Sequence, residues 1–275
     1  TGERVAIKKI RFHSFQDQAS QENAKKRFSR ECELQAKLSH PNIVSVYDYG
    51  SYSSHLFLVT QLIEGDTIYK IVQQKKNSEN YYKNEVPALV EKMSEVCDAI
   101  YYAHQNNIIH RDINPKNIML DKNGKIFVMD FGLAKQFGSD ETKLTKSNEL
   151  LGTPNYMSPE QWESRELTPL SDIYSLGATL YYIITGDAPY PDDPTIVLYN
   201  LLNKIPPNPI QIYYRDFPQS WNDMIRKAMS YELSNRYQNA KDFGNAILEN
   251  IAIWKKSQIS FFEKLKSTLR ITRRS

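Results

Sequence analysis

The sequence predicts an α+β protein in which a small sheet-and-helix unit precedes a larger, mainly helical one. Short β-branched runs typical of strands are concentrated in residues 1–64, whereas helical apolar spacing dominates from Gly65 onward. With 275 residues and 40% hydrophobic content, the chain can bury one large core or two modest lobes. It contains no internal repeat and no low-complexity tract, which argues against a repeat array.

The small unit is predicted to contain three strands and one helix. Residues 5–10 form a β-branched run that predicts a strand, and residues 20–38 have the apolar spacing of an amphipathic helix that ends before Pro41. Two further strands are predicted at residues 43–49 and 55–62, with a turn of glycine and serine between them.

The larger unit is predicted to consist of long helices and one short hairpin. Helical spacing covers residues 85–106, 170–185, 221–229 and 240–254. Short strands are predicted at residues 118–120 and 125–128, joined by a turn that ends at Gly124.

Composition and charge exclude several functional classes. Cys32 and Cys97 lack a CxxC partner, so neither a disulfide framework nor a zinc site is expected. No apolar run approaches the roughly 20 residues that span a bilayer, and no targeting pattern begins the chain, so we expect a cytoplasmic protein or the cytoplasmic part of a membrane-anchored one. Residues 255–275 hold seven of the 35 lysines and arginines, which leaves a mildly acidic main body and predicts no nucleic-acid partner.

Two short motifs carry the chemistry of this sequence. The first reads HRDINPKN at residues 110–117, and the second reads MDFG at residues 129–132. Phosphoryl transfer needs a base for the acceptor hydroxyl and cations around the migrating phosphate. Asp112 suits the base, while Asn117 and Asp130 offer oxygen ligands to Mg²⁺. The alternative, in which each aspartate only caps a turn, requires this spacing to be a coincidence.

These motifs resemble the protein-kinase superfamily, and most closely the bacterial, eukaryote-like serine/threonine kinases, over roughly residues 1–254. The resemblance implies a bilobal kinase-like fold, with the small lobe and hinge in residues 1–64, the large lobe in residues 65–254 and a basic tail or linker in residues 255–275. It also implies a signalling enzyme that uses ATP and Mg²⁺ to phosphorylate serine or threonine hydroxyls of protein substrates.

The resemblance assigns an ion pair in the small lobe. Lys8, in the run Val-Ala-Ile-Lys, matches the lysine that contacts the α- and β-phosphates and pairs with a helix glutamate. Glu31 is the expected partner, because it shares a helix face with Leu34 and Leu38. The alternative is that Lys8 is a surface lysine on an edge strand.

A hinge and an adenine slot are also implied by the resemblance. The Gln61 carbonyl and the Ile63 N–H are the expected adenine contacts, with Thr60 as the small gatekeeper behind them. Ala6 and Met119 are expected to form the roof and the floor of the slot. Read without the resemblance, all five are ordinary core or linker residues.

The catalytic loop departs from the family at Asn114, where most serine/threonine members carry a lysine that neutralises the γ-phosphate. An amide cannot supply that charge. Lys116 is four residues after Asp112, and its long side chain could reach the same phosphate. The alternative is a solvated Lys116 and impaired catalysis.

Residues 130–160 resemble the activation segment of the family. Thr145 and Ser147, with Thr142 as a third candidate, are the expected phosphate acceptors, because Arg111 beside the catalytic aspartate usually needs a phosphate to neutralise it. Thr153, in a Gly-Thr-Pro context, favours aliphatic hydroxyl substrates.

Four further residues are expected to have structural roles. Glu160 should form a buried ion pair with Arg236. Asp172 should hold the backbone of the catalytic loop by hydrogen bonds, and His110 should pack beneath that loop as a brace.

Two features leave alternatives open. The family's glycine-rich loop is absent, since no two glycines are spaced i, i+2, and we therefore expect an N-terminally truncated small lobe with residues 5–10 at an unpaired edge. The basic tail could approach an anionic membrane surface, or it could be a solvated linker. The alternative to an enzyme is a pseudokinase-like scaffold that docks partners with impaired catalysis.

Overall fold

The computed structural model describes residues 2, 4–11, 18–52, 55–78, 81–131, 154–215 and 217–272. In these residues a small lobe, made of one three-stranded sheet and one helix, is followed by a larger lobe of helices and a second small sheet. The predicted α+β class is confirmed, as is the order of the two units along the chain.

The small lobe packs one helix against one face of an antiparallel sheet with the strand order β1-β3-β2. Its elements are β1 (Val5–Arg11), α1 (Gln18–Ala36), β2 (Val46–Tyr52) and β3 (His55–Gln61). Phe28 and Cys32 of α1 form a fully buried cluster with Leu56 and Leu58 of β3. β1 is an edge strand of the described sheet.

A second antiparallel sheet follows directly after the small lobe. It contains β4 (Gly65–Thr67), β5 (Ile118–Asp121) and β6 (Ile126–Val128), in that order. A Cβ on Gly65 would lie only 2.1 Å from the Leu120 carbonyl oxygen, so only glycine permits this close approach of β4 to β5.

The large lobe consists mainly of helices. Its helices are α2 (Ile68–Lys75), α3 (Val86–Gln105), α4 (Pro159–Trp162), α5 (Pro169–Thr185), α6 (Pro194–Leu202), α7 (Gln219–Ala228) and α8 (Ala240–Thr272), with short 3₁₀ or π-helical turns at Tyr81–Glu85, Pro154–Tyr156, Ile210–Ile212 and Leu233–Asn235. The helices α2 and α6 were not predicted, because each is under three turns long and its apolar pattern has too few repeats to detect.

Helix α5 forms the centre of the large lobe. The Thr168 hydroxyl accepts a hydrogen bond at its N-terminus, and Gly186 ends it in the left-handed conformation with φ 80°. Every residue from Ser171 to Thr185 is buried, as is typical of a helix that is covered on all sides.

Helix α8 is longer than predicted. It begins at Ala240 as expected, but it continues past Trp254 to Thr272. Phe243, Ile247 and Ile251 are buried at helical spacing, and α8 packs mainly against α3. In the part of the chain that the structure describes, no helix is both long enough and apolar enough to cross a membrane.

A short segment between α1 and β2 attaches the small lobe to the large lobe. Val44 N–H donates to the Val128 carbonyl at 3.0 Å, and Val128 N–H donates to the Asn42 carbonyl at 2.8 Å. The Asn42 side chain also donates to the Ile126 carbonyl at 2.8 Å. β2 begins at Val46, later than predicted, and residues 42–44 pair with Val128 of β6 instead of β3.

Candidate active site

Asp172, in the first turn of α5, holds the backbone of the catalytic loop. Its two carboxylate oxygens accept hydrogen bonds from the backbone N–H groups of His110 at 2.8 Å and Arg111 at 2.9 Å. The buried His104 ring lies 2.8 Å from the same carboxylate. Burial alone would raise the pKa of Asp172, but the hydrogen bonds and the two imidazoles lower it below its usual value, so Asp172 is ionised.

His110 joins the catalytic loop to the segment that leads to Asp130. Its Nδ1 accepts from the Asp112 N–H at 3.2 Å, and its Nε2 lies 3.0 Å from the Met129 carbonyl. Burial lowers the pKa of His110, so the ring is neutral and Nε2 carries the proton. Its ring also packs on Phe131, with the centroids 4.5 Å apart. His110 is thus a brace.

Two asparagines orient Asp112. The Asn117 amide nitrogen donates to both the carbonyl and the Oδ2 of Asp112, each at 2.8 Å. The buried Asn114 amide donates to the Asp112 carbonyl at 3.0 Å and accepts from the Lys116 N–H at 2.9 Å. Asn114 therefore acts as a structural brace of the loop.

Lys8 and Glu31 each pair with another residue in this structure, so their expected ion pair stays a prediction. Lys8 Nζ lies 2.9 Å from Asp130 Oδ1, and Glu31 instead pairs with Arg111 at 3.3 Å. The backbone of Arg111 has φ 67° and donates a hydrogen bond to Asp172. Burial raises the pKa of Glu31, and Arg111 only partly offsets this increase.

Lys116 lies on the outer surface of the catalytic loop. Its ammonium is 5.1 Å from the centroid of the Tyr69 ring, at the beginning of α2. The Tyr69 N–H donates to the Pro115 carbonyl at 2.9 Å, which fixes α2 against the loop. The exposed ammonium is thus held close to the catalytic loop by a cation–π contact, and its role at a phosphate stays a prediction.

The residues expected around adenine are placed by sheet register. Ala6 lies opposite Thr60 in the β1–β3 pair, so both side chains are on the same face of the sheet as Lys8. The Gln61 N–H donates a hydrogen bond to the Ser45 carbonyl at 2.9 Å. Ile63 follows β3, and Met119 lies on β5 opposite Phe127. Their contacts with adenine stay predictions.

The pair of Glu160 and Arg236 is present and fully buried. Two guanidinium nitrogens lie 2.7 and 2.9 Å from the two carboxylate oxygens, and Arg236 also donates to the carbonyls of Ser230 and Leu170 at 2.7 and 2.8 Å. Burial would raise the pKa of Glu160, but Arg236 lowers it below its usual value.

Part of the predicted activation segment lies outside the described residues. This applies to Thr142, Thr145, Ser147 and Thr153, whose expected roles stay predictions. At the described end of the segment, the Gln161 side chain donates to the Arg111 carbonyl at 2.7 Å and so ties α4 to the catalytic loop. Sequence reasoning missed Gln161 and the contact of His104 with Asp172, because neither residue belongs to a motif of fixed spacing.

Comparison with known proteins gives a consistent result. A family model described as "Protein kinase domain" matches residues 1–251. The chain is 36% identical over 240 residues to the serine/threonine-protein kinase PrkC of Bacillus subtilis. This alignment covers 86% of this chain and 35% of PrkC. It is 34% identical over 223 residues to the serine/threonine-protein kinase PknB of Mycobacterium leprae, which covers 78% of this chain and 34% of PknB.

The chain spans about a third of the length of the curated relatives it matches. Among solved structures, the kinase domain of PknI from Mycobacterium tuberculosis superposes with a TM-score of 0.70 at 22% identity, over 90% of this chain and 85% of that chain. At this identity the likeness concerns the fold.

Proposed function

The chain belongs to the protein kinase domain family, and from this membership we propose that it transfers the γ-phosphate of ATP to serine or threonine hydroxyls of proteins. The match to the family model and the identity to the two relatives confirm the resemblance recognised in the sequence. The serine/threonine preference is supported by the relatives, which are serine/threonine-protein kinases. The observation that carries the proposal is the oriented carboxylate of Asp112, which Asn117 holds by its side chain while His110 and Asn114 hold its backbone.

Asp112 would accept the hydrogen bond of the acceptor hydroxyl and take its proton as transfer proceeds. Its geometry suits this role, because Asn117 donates a hydrogen bond to the carboxylate and the Asp112 N–H donates one to His110, which together fix the residue before a substrate arrives. Lys8 would bind the α- and β-phosphates from the face of the sheet that also carries Ala6 and Thr60. Lys116 would approach the γ-phosphate after leaving the Tyr69 ring.

Asn117 and Asp130 would hold Mg²⁺, whose charge would stabilise the phosphate oxygens. The donor set fits this hard cation, since Asn117 uses its amide nitrogen on Asp112 and keeps its oxygen as a ligand. The Met129 N–H donates to the Asn117 carbonyl at 3.0 Å, which brings Asp130 beside Asn117. Among the described residues no cluster of three or more His, Cys, Asp or Glu could by itself hold a metal ion.

Nucleotide binding would replace the observed ion pairs. The contact between Lys8 and Asp130 uses the two groups that the proposal assigns to phosphate and cation. Glu31 would become available to Lys8 when Arg111 takes another partner. The observed arrangement is therefore a resting one in this proposal.

Transfer of labelled phosphate from ATP to a basic generic protein tests the proposal. Replacement of Asp112 by Asn should abolish the transfer, because the base is lost while the size of the side chain is kept. The matched control is Asp223→Asn, which makes the same chemical change on the exposed face of α7 and should leave the transfer unchanged. Equal signals from the parent chain and Asp112→Asn would contradict the catalytic claim.

A second candidate is a kinase-shaped scaffold without turnover. It is favoured by the neutral Asn114 in place of a lysine and by the contact of Lys8 with Asp130. Tight binding of a fluorescent ATP analogue, together with transfer no faster than that of Asp112→Asn, would support the scaffold. Transfer that depends on Asp112 would exclude it.

We also propose the division into residues 1–64, 65–254 and 255–275, with the last part as a basic tail near an anionic membrane surface. The sequence of this tail supports the proposal, since seven of its residues are lysine or arginine and one is acidic. The backbone of α8 continues through residue 254. Liposome pelleting that does not respond to anionic lipid would leave only the linker role.

A further inference from the structure

The Gln161 side chain connects the described end of the activation segment to the catalytic loop. Its Nε2 donates to the Arg111 carbonyl at 2.7 Å, and its Oε1 accepts from the Ser158 N–H at 3.0 Å. Ser158 is the N-cap of α4, and Gln161 is the third residue of that helix. A single amide group therefore bonds two backbone segments at once, with its oxygen on one and its nitrogen on the other.

The segment that carries Gln161 has other anchors to the large lobe. Glu160 forms its buried ion pair with Arg236, in which the closest atoms are 2.7 Å apart. The Ser175 hydroxyl of α5 donates to the Tyr156 carbonyl at 2.8 Å. Because these contacts already fix the segment on α5 and on Arg236, the hydrogen bond from Gln161 to Arg111 mainly restrains the catalytic loop.

The carbonyl that Gln161 holds belongs to the peptide unit directly before Asp112. The N–H of the same peptide unit, that of Asp112, donates to His110 Nδ1 at 3.2 Å. Arg111 has φ 67°, a conformation that costs a non-glycine residue free energy and persists only where neighbouring groups hold it. Asp172 holds the Arg111 N–H at 2.9 Å, and Gln161 holds the Arg111 carbonyl.

We propose that Gln161 is a positioning residue for phosphoryl transfer and acts through the peptide unit between Arg111 and Asp112. This inference rests on the proposed function, because it takes Asp112 as the base. Gln161 fixes the plane of that peptide, and so the direction from which the Asp112 carboxylate meets the acceptor hydroxyl. A displacement of about 1 Å at a reacting group can lower a rate about 10²-fold. Lys8 and the hinge lie on other elements, so the rate of transfer, and not the affinity for ATP, should depend on Gln161.

Steady-state transfer by two variants tests this role. Gln161→Glu keeps an oxygen for the Ser158 N–H, but as a carboxylate it cannot donate to the Arg111 carbonyl. Gln161→Met has a similar length and loses both hydrogen bonds. We expect each variant to lower kcat about tenfold or more, with the KM for ATP within about twofold of the parent value. The matched control is Gln74→Glu, which makes the same chemical change on the exposed side of α2 and should leave both constants unchanged.

Two further measurements separate positioning from a merely structural role. The melting temperature of Gln161→Glu should match that of the parent chain, because a serine N-cap followed three residues later by glutamate favours the start of a helix. The exchange rate of the Asp112 amide hydrogen, measured by NMR, should rise about tenfold in both variants, because the carbonyl of its peptide unit is no longer held.

The outcomes that would overturn the proposal are distinct. Full kcat in Gln161→Glu, with or without a loss in Gln161→Met, would show that Gln161 acts only as a cap of α4. A loss of kcat that is accompanied by a lower melting temperature of Gln161→Glu, or by an unchanged exchange rate of the Asp112 amide, would also overturn it. Equal transfer by the parent chain and Asp112→Asn would instead contradict the proposed function, and this inference with it.

Discussion

Arg111 holds the carboxylate of Glu31, which the proposed catalytic arrangement assigns to Lys8. Its backbone N–H donates to Asp172, and its guanidinium forms an ion pair with Glu31 at 3.3 Å. A phosphate on the activation segment would be a stronger partner for this guanidinium than a half-buried carboxylate, because it carries nearly two charges. Loss of Arg111 from the pair would release Glu31 towards Lys8.

We predict that Arg111→Gln narrows the difference in transfer rate between autophosphorylated and phosphatase-treated protein from roughly tenfold to about twofold, because Glu31 is then released in both forms. Transfer assays on both forms measure this difference. Arg30→Gln, which removes the exposed arginine next to Glu31, is the control and should preserve the full difference. An undiminished response in Arg111→Gln, or fully active protein in which mass spectrometry finds Thr142, Thr145 and Ser147 unmodified, would contradict this mechanism.

Lys116 is the residue that the proposal substitutes for the family's missing lysine. We predict that Lys116→Met lowers the rate of transfer at least about tenfold, because a charge at the γ-phosphate is removed. The melting temperature should change little, since the lysine is exposed and its Tyr69 contact is worth about 0.5–1 kcal/mol.

Lys125→Met is the matched control, because Lys125 is also exposed and lies 4.9 Å from the Phe127 ring centroid. Equal transfer rates for the two variants would assign Lys116 to the solvated surface.

At the scale of elements, the contact between α5 and α7 depends on one glycine. A Cβ on Gly177 would lie 2.8 Å from the Ala228 Cβ, which is closer than two side chains can pack. We predict that Gly177→Ala lowers the free energy of unfolding by about 1–3 kcal/mol, as measured by urea denaturation, because α7 must move away from α5.

The double variant Gly177→Ala/Ala228→Gly supplies the control. Ala228→Gly removes the clashing atom, so the two changes together should cost less than their sum. Strict additivity would show that the two helices do not meet at this point.

The elements also show what sequence reasoning could reach. Asp112, Asn117 and Asp130 were identified because motif spacing reflects chemistry, and α5 was found from its long apolar pattern. The partners of Lys8 and Glu31 were not identified. The two cations, of Lys8 and Arg111, can each pair with either nearby carboxylate, and the sequence does not give the position of α1 that decides between them. The end of α8 was missed, although residues 255–272 contain no glycine or proline that would end a helix.

At the scale of the whole molecule, buried titratable groups make stability depend on pH. The pKa values of Asp172 and Glu160 are lowered on folding, so each carboxylate stabilises the fold above its unfolded pKa of about 4 and loses this effect as the pH falls. The pKa of His110 is also lowered, so protonation of the unfolded chain below about pH 6.5 favours unfolding.

We predict that the free energy of unfolding decreases in two stages on acidification, first below about pH 6.5 and more steeply below about pH 4.5. Glu160→Gln should be less stable at pH 7, because Arg236 is left buried without a counter-charge, and should show a shallower second stage. Chemical denaturation across this pH range measures both effects. The exposed Glu249→Gln serves as the control, and an unchanged second stage in Glu160→Gln would contradict the assignment.

The segment at residues 42–44 has a consequence for motion. It belongs to the small lobe by sequence, yet its backbone pairs with Val128 and its Asn42 side chain is anchored at Ile126. Together with the connection after Gln61, it gives the small lobe two backbone attachments to the large lobe, and these two define an axis. We therefore expect the small lobe to rotate about this axis. The Val44 amide lies near the axis and should exchange its hydrogen as slowly as the amides in the interior of the large lobe.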